Sequence, residues 1–151
     1  MKNTLFLICA GLMMSVAADA QTKKKSTPAK VKVPETVDAS FKGTYAVAEN
    51  NKWSKNYTGN YVAVFTNANN QEQTTEYNTS GVLIKSRTTL DVAMLPEPVT
   101  TAVQKRFPGS TIAESVKVEI PGLAPYYRTK VKVSDTKEKV LLISEEGQVT
   151  Y

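Results

Sequence analysis

The sequence of 151 residues contains no histidine and one cysteine. Without imidazole it lacks the usual general base, the commonest metal ligand and the side chain that ordinarily titrates near neutrality. Ser-His-Asp hydrolysis and most zinc chemistry are thereby excluded. Aromatic residues make up only 8%, and the seven glycines never cluster into a phosphate-binding loop. Carboxylates are present, but none has a spaced partner that marks acid-base work. Glu145 and Glu146 precede Gly147 in a turn sequence, Glu72 and Glu76 share a strand face, and Asp91 and Glu97 stand alone. Asp135 and Glu138 are too few for a calcium loop. No enzymatic activity, cofactor or metal is therefore expected.

What is present begins with an export signature. Met1 to Ala20 carries Lys2, an apolar run from Leu5 to Val16, and Ala18-Asp19-Ala20 ahead of Gln21. Small residues at Ala18 and Ala20 suit signal peptidase, and the apolar run falls short of the roughly 20 residues that span a bilayer. Residues 1–20 are expected to be a cleaved signal peptide. Cys9 leaves with it, because the bulky Ile8 before it does not fit lipoprotein processing. The mature chain then has no disulfide, no thiolate nucleophile and no transmembrane segment, and it resides in the periplasm or is secreted.

Residues 21–35 are a flexible basic tail: Lys23, Lys24, Lys25, Lys30 and Lys32 face Glu35 alone. Such a segment buries too little apolar surface to offset its ordering entropy. It reads as a solvated spacer, with weak electrostatic contact through Lys23 to Lys32 as the alternative. Beyond it the charges nearly balance, and no basic stripe interleaved with aromatics marks a nucleic-acid surface, so nucleic acid is not an expected partner.

Residues 36–151 carry one plan twice. Val37, Phe41 and Tyr45 form a helical apolar stripe, followed by strand-like segments at Trp53 to Tyr57, Asn60 to Thr66, Gln73 to Tyr77 and Val82 to Thr88, with Asn50-Asn51 as an interruption. Pro96-Glu97-Pro98 then opens a second helix whose Val99, Val103 and Phe107 repeat the stripe at an offset of 62. Strands follow at Thr111 to Ile120, Tyr126 to Val133, Lys137 to Ile143 and Gln148 to Tyr151, with Ile112, Val116, Val118 and Ile120 as the apolar positions of the first. Tyr61 matches Tyr127, and Gly81 matches Gly147, at an offset of 66. The pattern predicts an α+β fold: two tandem units of a helix plus four antiparallel strands, about 36–94 and 95–151, forming one curved sheet with the helices on one face. All six stripe residues are expected to be buried, and Lys42, Lys105 and Arg106 exposed.

The order Val37-Phe41-Tyr45, Trp53, Tyr61 and Gly81, then Pro98, Val99, Val103, Phe107, Pro108, Tyr127, Val131, Val133, Leu141, Ile143 and Gly147, resembles the PepSY-like or beta-lactamase-inhibitor-like periplasmic proteins common in Bacteroidetes. Gly43-Thr44-Tyr45-Ala46 departs from the aromatic-Pro usual there. The resemblance implies the two-unit sheet, and a role among proteins that bind and inhibit enzymes through the sheet face.

The function expected is a non-enzymatic protein- or peptide-binding domain, inhibitory by that resemblance, whose partner is an unidentified envelope protein or peptide and whose state is a monomer or weak dimer. The alternative is a sensor or carrier module for a small apolar or glycan ligand held between sheet and helices. Tyrosines offer rigid area with a polar handle. Tyr57, Tyr77 and Tyr126 are the candidate contact residues, while Trp53, Tyr61 and Tyr127 are assigned inward.

Overall fold

The computed structural model describes residues 31–150; the expected signal peptide and the lysines at positions 23, 24, 25 and 30 lie outside the described residues. Helix α1 spans Glu35–Thr44 and α2 spans Glu97–Arg106. Each follows a proline with extended backbone, Pro34 or Pro96, and carries acid in its first turn and base in its last, matching the helix dipole. Residues one turn apart, Val37 with Phe41 and Val99 with Val103, are buried against the sheet. Tyr45 and Phe107 correct the expected stripe. They lie one residue past each helix, where their N–H groups bond the carbonyls of Phe41 and Val103, and both are half-buried. Lys42, Lys105 and Arg106 are exposed as expected.

The strands are β1 (Glu49–Lys55), β2 (Tyr61–Thr66), β3 (Glu72–Tyr77), β4 (Leu83–Leu90), β5 (Thr111–Glu119), β6 (Tyr126–Ser134), β7 (Lys137–Ser144) and β8 (Val149–Thr150). They form one eight-stranded sheet in chain order, every neighbouring pair antiparallel. A short 3-10 turn at Val92–Met94 and α2 connect β4 to β5. The architecture is thus α+β, two helix-plus-four-strand units making one curved sheet with both helices on one face.

Strand β1 starts earlier than the sequence suggests. Asn50 takes a left-handed backbone (φ 54°) and is absorbed in a bulge between Glu49 and Lys52 instead of breaking the strand. Three hairpin turns of the first unit share one device. The side-chain oxygens of Asn56, Asn67 and Asn78 each accept hydrogen bonds from two backbone N–H groups of their own turn. The turn at Ser144 repeats the backbone pattern of the one at Asn78, with Ser144 Oγ accepting from Gln148 N–H.

Two cores form under the helices. Val37, Phe41, Tyr61, Ala63, Phe65 and Tyr77 make one; Leu95, Val99, Val103, Ile112, Tyr127, Val131, Leu141 and Ile143 make the other. Aromatic rings fill the first: Phe41 lies 5.2 Å from Trp53 and 5.0 Å from Phe65, centroid to centroid. Between the cores runs a band of buried polar side chains on the same sheet face, including Ser86 and Thr88 of β4 and Ser115 and Thr129 of β5 and β6. Gln73 donates to Ser86 Oγ at 2.8 Å, and the Ser115 and Thr129 hydroxyls pair at 3.1 Å. These bonds offset the cost of removing the groups from water.

Candidate functional site

Alternation along each strand sends one set of side chains to the helices and the other to a face that no helix covers. Across β2, β3 and β4 the open face carries Val62, Val64, Thr74, Glu76, Lys85 and Arg87. Strand β5 would place its valines inward if it were regular. A bulge between Ile112 and Glu114 inserts one residue and reverses the phase, so that Ile112 pairs inward with Val131 while Val116 and Val118 stand on the open face. The apolar positions predicted for this strand therefore divide between the two faces.

Val118 pairs with Arg87 on one side and Tyr126 on the other, and Val116 pairs with Thr89 and Arg128. Val118 is only 3% exposed although it faces away from both helices, so the curved sheet and its neighbouring side chains form a crease around it. Lys85, Arg87, Glu114, Val116, Val118, Tyr126 and Arg128 line this hollow of about 300 Å³. Its floor is valine, its walls carry three cations against the single carboxylate of Glu114, and Tyr126 supplies an aromatic edge.

The hollow is flanked by a polar lock. Asn56 Nδ2 and Asn60 Nδ2 each donate to Glu76 Oε1 at 2.8 Å, and Lys85 Nζ lies 3.6 Å from the other carboxylate oxygen. The Asn60 hydrogen bond, then that of Asn56 and the Lys85 charge, hold the Glu76 carboxyl below its ordinary value against the opposing effect of burial. This carboxylate fixes the β1–β2 turn to β3 and engages Lys85, an arrangement suited to shape and not to proton transfer. On the helix-bearing face Lys117 lies 3.3 Å from Glu119 and 3.4 Å from Glu145. That cluster also contains no catalytic geometry, and among the described residues no group of His, Cys, Asp and Glu could hold a metal ion.

The three candidate tyrosines do not come together. Tyr126 is half-buried and lines the hollow. Tyr57 is fully exposed on the tip of the β1–β2 turn. Tyr77 must be withdrawn from any contact surface: it is 1% exposed, because its pairing with the inward Tyr61 sets its phase toward α1. Tyr127 and Tyr61 are both buried, as assigned, and Trp53 packs half-buried against Phe41 from the edge strand. Arg87, Arg128, Val116 and Val118 were missed as a set. Arg87 and Arg128 lie 41 positions apart in the chain, and only the β4–β5 and β5–β6 pairings bring them to opposite sides of one strand.

No protein-family model matches the chain, and no curated protein does so significantly. Solved structures do. A DUF2874 family protein from Bacteroides ovatus superposes with a TM-score of 0.73 at 22% identity, over 80% of this chain and 86% of that one. A BLIP-like protein from Bacteroides fragilis gives 0.72 at 20% identity, over 80% and 85%. A candidate periplasmic protein from Bacteroides eggerthii gives 0.72 at 20% identity, over 80% and 88%. At these identities the likeness is one of fold, and at that level the resemblance to beta-lactamase-inhibitor-like proteins holds.

Proposed function

We propose that the chain is exported, losing residues 1–20, and that residues 36–151 act in the periplasm or outside the cell as a non-enzymatic protein- or peptide-binding domain that engages its partner across the open sheet face. One observation carries this reading: the molecule presents a creased, helix-free sheet face with an apolar floor, an aromatic edge and cationic walls. A surface of that make-up supplies both area and orientation to a partner. The fold of the BLIP-like neighbour and the description of another neighbour as a candidate periplasmic protein support an inhibitor-like role and the compartment. No helix among the described residues is long and apolar enough to cross a membrane. The carrier alternative needs a chamber between helices and sheet, and that space is filled by Phe41, Phe65, Tyr77 and their neighbours. The domain acts as a monomer or weak dimer, with residues 21–30 as a spacer; the expected tail to residue 35 is cut short because Val31 and Val33 pack against the first core and Glu35 opens α1.

Photo-crosslinking amino acids at Thr74, Tyr126 and Leu142 on the open face, and at Thr101 and Lys105 on the helix side, test the reading in cells that naturally make the protein. Cross-links to a common partner from the open-face positions alone are expected. Cross-links from the helix side alone, or none from the open face, overturn it.

A further inference from the structure

The hollow on the open face has a composition that restricts what can fill it. Arg87 and Arg128 are both exposed, and neither lies within ion-pair distance of a carboxylate among the described residues. The other charges of the hollow are Lys85 and Glu114. Lys85 is paired with Glu76. Glu114 lies across the ladder from Lys130 and adds to the field on its ammonium, which is ion-paired with Glu138 at 2.8 Å, so Glu114 is the one carboxylate of the hollow and has no ion pair among the described residues. Two guanidiniums thus stand without an ion-pair partner among the described residues on either side of the Val116 and Val118 floor, Arg87 feeling the Glu76 charge only at longer range, with the Tyr126 ring at the end of the floor.

Guanidinium is a planar fork that matches a carboxylate in bidentate geometry, and covering it without an anion leaves a desolvated charge. The valine floor favours an apolar side chain for the opposite reason. Resting on the reading of the open face as a binding surface, we propose that the hollow receives an acidic segment of a partner protein: an aliphatic or aromatic side chain on Val116 and Val118, flanked by carboxylates that pair with Arg87 and Arg128.

Other occupants fit less well. The chain's own N-terminal stretch bears Lys23, Lys24, Lys25, Lys30 and Lys32 and would be repelled by the same guanidiniums. A second copy docking face to face about a twofold axis would bring Arg87 and Arg128 against their own kind. A flat anionic membrane meets the arginines but cannot descend to Val118, which is 3% exposed below them.

The test uses three acetylated, amidated peptides, Glu-Glu-Leu-Glu-Glu and its Ser and Lys counterparts, and vesicles of phosphatidylglycerol. The readouts are backbone amide shifts and titration of the whole mature protein. The Glu peptide alone is expected to move the amides of Val116, Val118 and Tyr126, with affinity that declines as salt is raised. Arg87→Gln and Arg128→Gln are each expected to weaken it about tenfold, as for loss of one charge-assisted contact. Lys105→Gln should leave it unchanged, and unaltered urea midpoints confirm that the arginine variants fold. Equal binding of the Ser peptide, or a double arginine variant that binds as before, overturns the proposal. Strong vesicle binding without a response to the Glu peptide also overturns it, in favour of lipid. If a partner cross-linked through Thr74 or Tyr126 is retained by the double variant, the acidic-segment proposal falls and the open-face reading stands. Absence of open-face cross-links in the unaltered protein removes the reading itself.

Discussion

Gly81 passes so close beneath Thr36 that a Cβ added to it would lie 2.8 Å from the Thr36 carbonyl oxygen. Gly147 stands in the same relation to Pro98, at 2.7 Å. In each unit the last hairpin turn is thus tucked under the start of its helix, with a left-handed glycine (φ 82° and 85°) at the point of contact. Replacing either glycine by alanine adds backbone strain of about 1 to 2 kcal/mol and a clash with main chain of about 1 to 3 kcal/mol. Gly122 has the same φ of 82° but nothing within 4 Å of its added Cβ. Gly122→Ala should therefore show the strain alone, and urea midpoints of the three variants should separate the two effects.

The cores can be weighed by truncation. Phe41 is 2% exposed and touches the rings of Tyr45, Trp53 and Phe65, so Phe41→Ala should cost about 3 to 5 kcal/mol. Phe107 is half-buried at the end of α2 and should cost clearly less. Lys105→Ala, at an exposed position, should stay within about 0.5 kcal/mol. Denaturant unfolding with a common m-value checks the ranking.

Glu76 makes the acid limb of stability predictable. Its carboxyl titrates below the ordinary value in the folded chain, chiefly through the Asn60 hydrogen bond, whereas in the unfolded chain it titrates near about 4.3. The stabilisation is present above that unfolded value and is lost as pH falls through the folded one. Asn60→Ala should reduce stability at about pH 6 more than at a pH below the folded value of Glu76, where both states carry a protonated carboxyl. Equal losses at both pH values would separate Asn60 from the Glu76 charge.

At the alkaline end Tyr77 governs. Burial pushes its phenol up to about 12, with a lesser contribution from the Tyr45 phenol. The stabilisation is complete below the ordinary value of about 10 and is lost as pH rises through about 12. The Tyr77 hydroxyl is buried near that of Thr75, which slightly opposes the rise, and neither makes a well-formed hydrogen bond among the described residues. Tyr77→Phe should be neutral or stabilising by up to about 1 kcal/mol near neutrality, and it should flatten the alkaline loss, as followed by tyrosinate absorbance and circular dichroism.

Much of the architecture could be read from residue spacing because it depends on local periodicity. Tyr61, Ala63 and Phe65 alternate with Val62 and Val64, and Val99 with Val103 marks one helical turn; both patterns survive folding unchanged. Tyr77 was misjudged because β3 is polar on both faces: Gln73 and Thr75 are buried and Glu72 is exposed, so composition alone does not indicate its inward side. The binding hollow was illegible for a different reason. One additional residue after Ile112 decides whether Val116 and Val118 face the helices or the partner, and a bulge is fixed by pairing with β6. A usable signal was overlooked at Asn56, Asn67 and Asn78, whose equal spacing of 11 residues marks three successive hairpin turns.

The buried polar band between the cores has a consequence for how the molecule holds together. Each unit has its own buried apolar core, Leu90 reaching from the first unit to the second, and the line from Ser86 to Leu90 against Ser115 to Glu119 joins them largely through the backbone ladder. Amide hydrogens in β2 and β3 can then exchange through openings that leave β6 and β7 closed, since no common apolar core compels both halves to separate together. The hollow straddles that line on the opposite face, with Arg87 from the first unit and Arg128 from the second. An occupant gripping both would couple two openings that are otherwise independent, so binding would register as protection spread over the whole sheet and not only beneath the ligand.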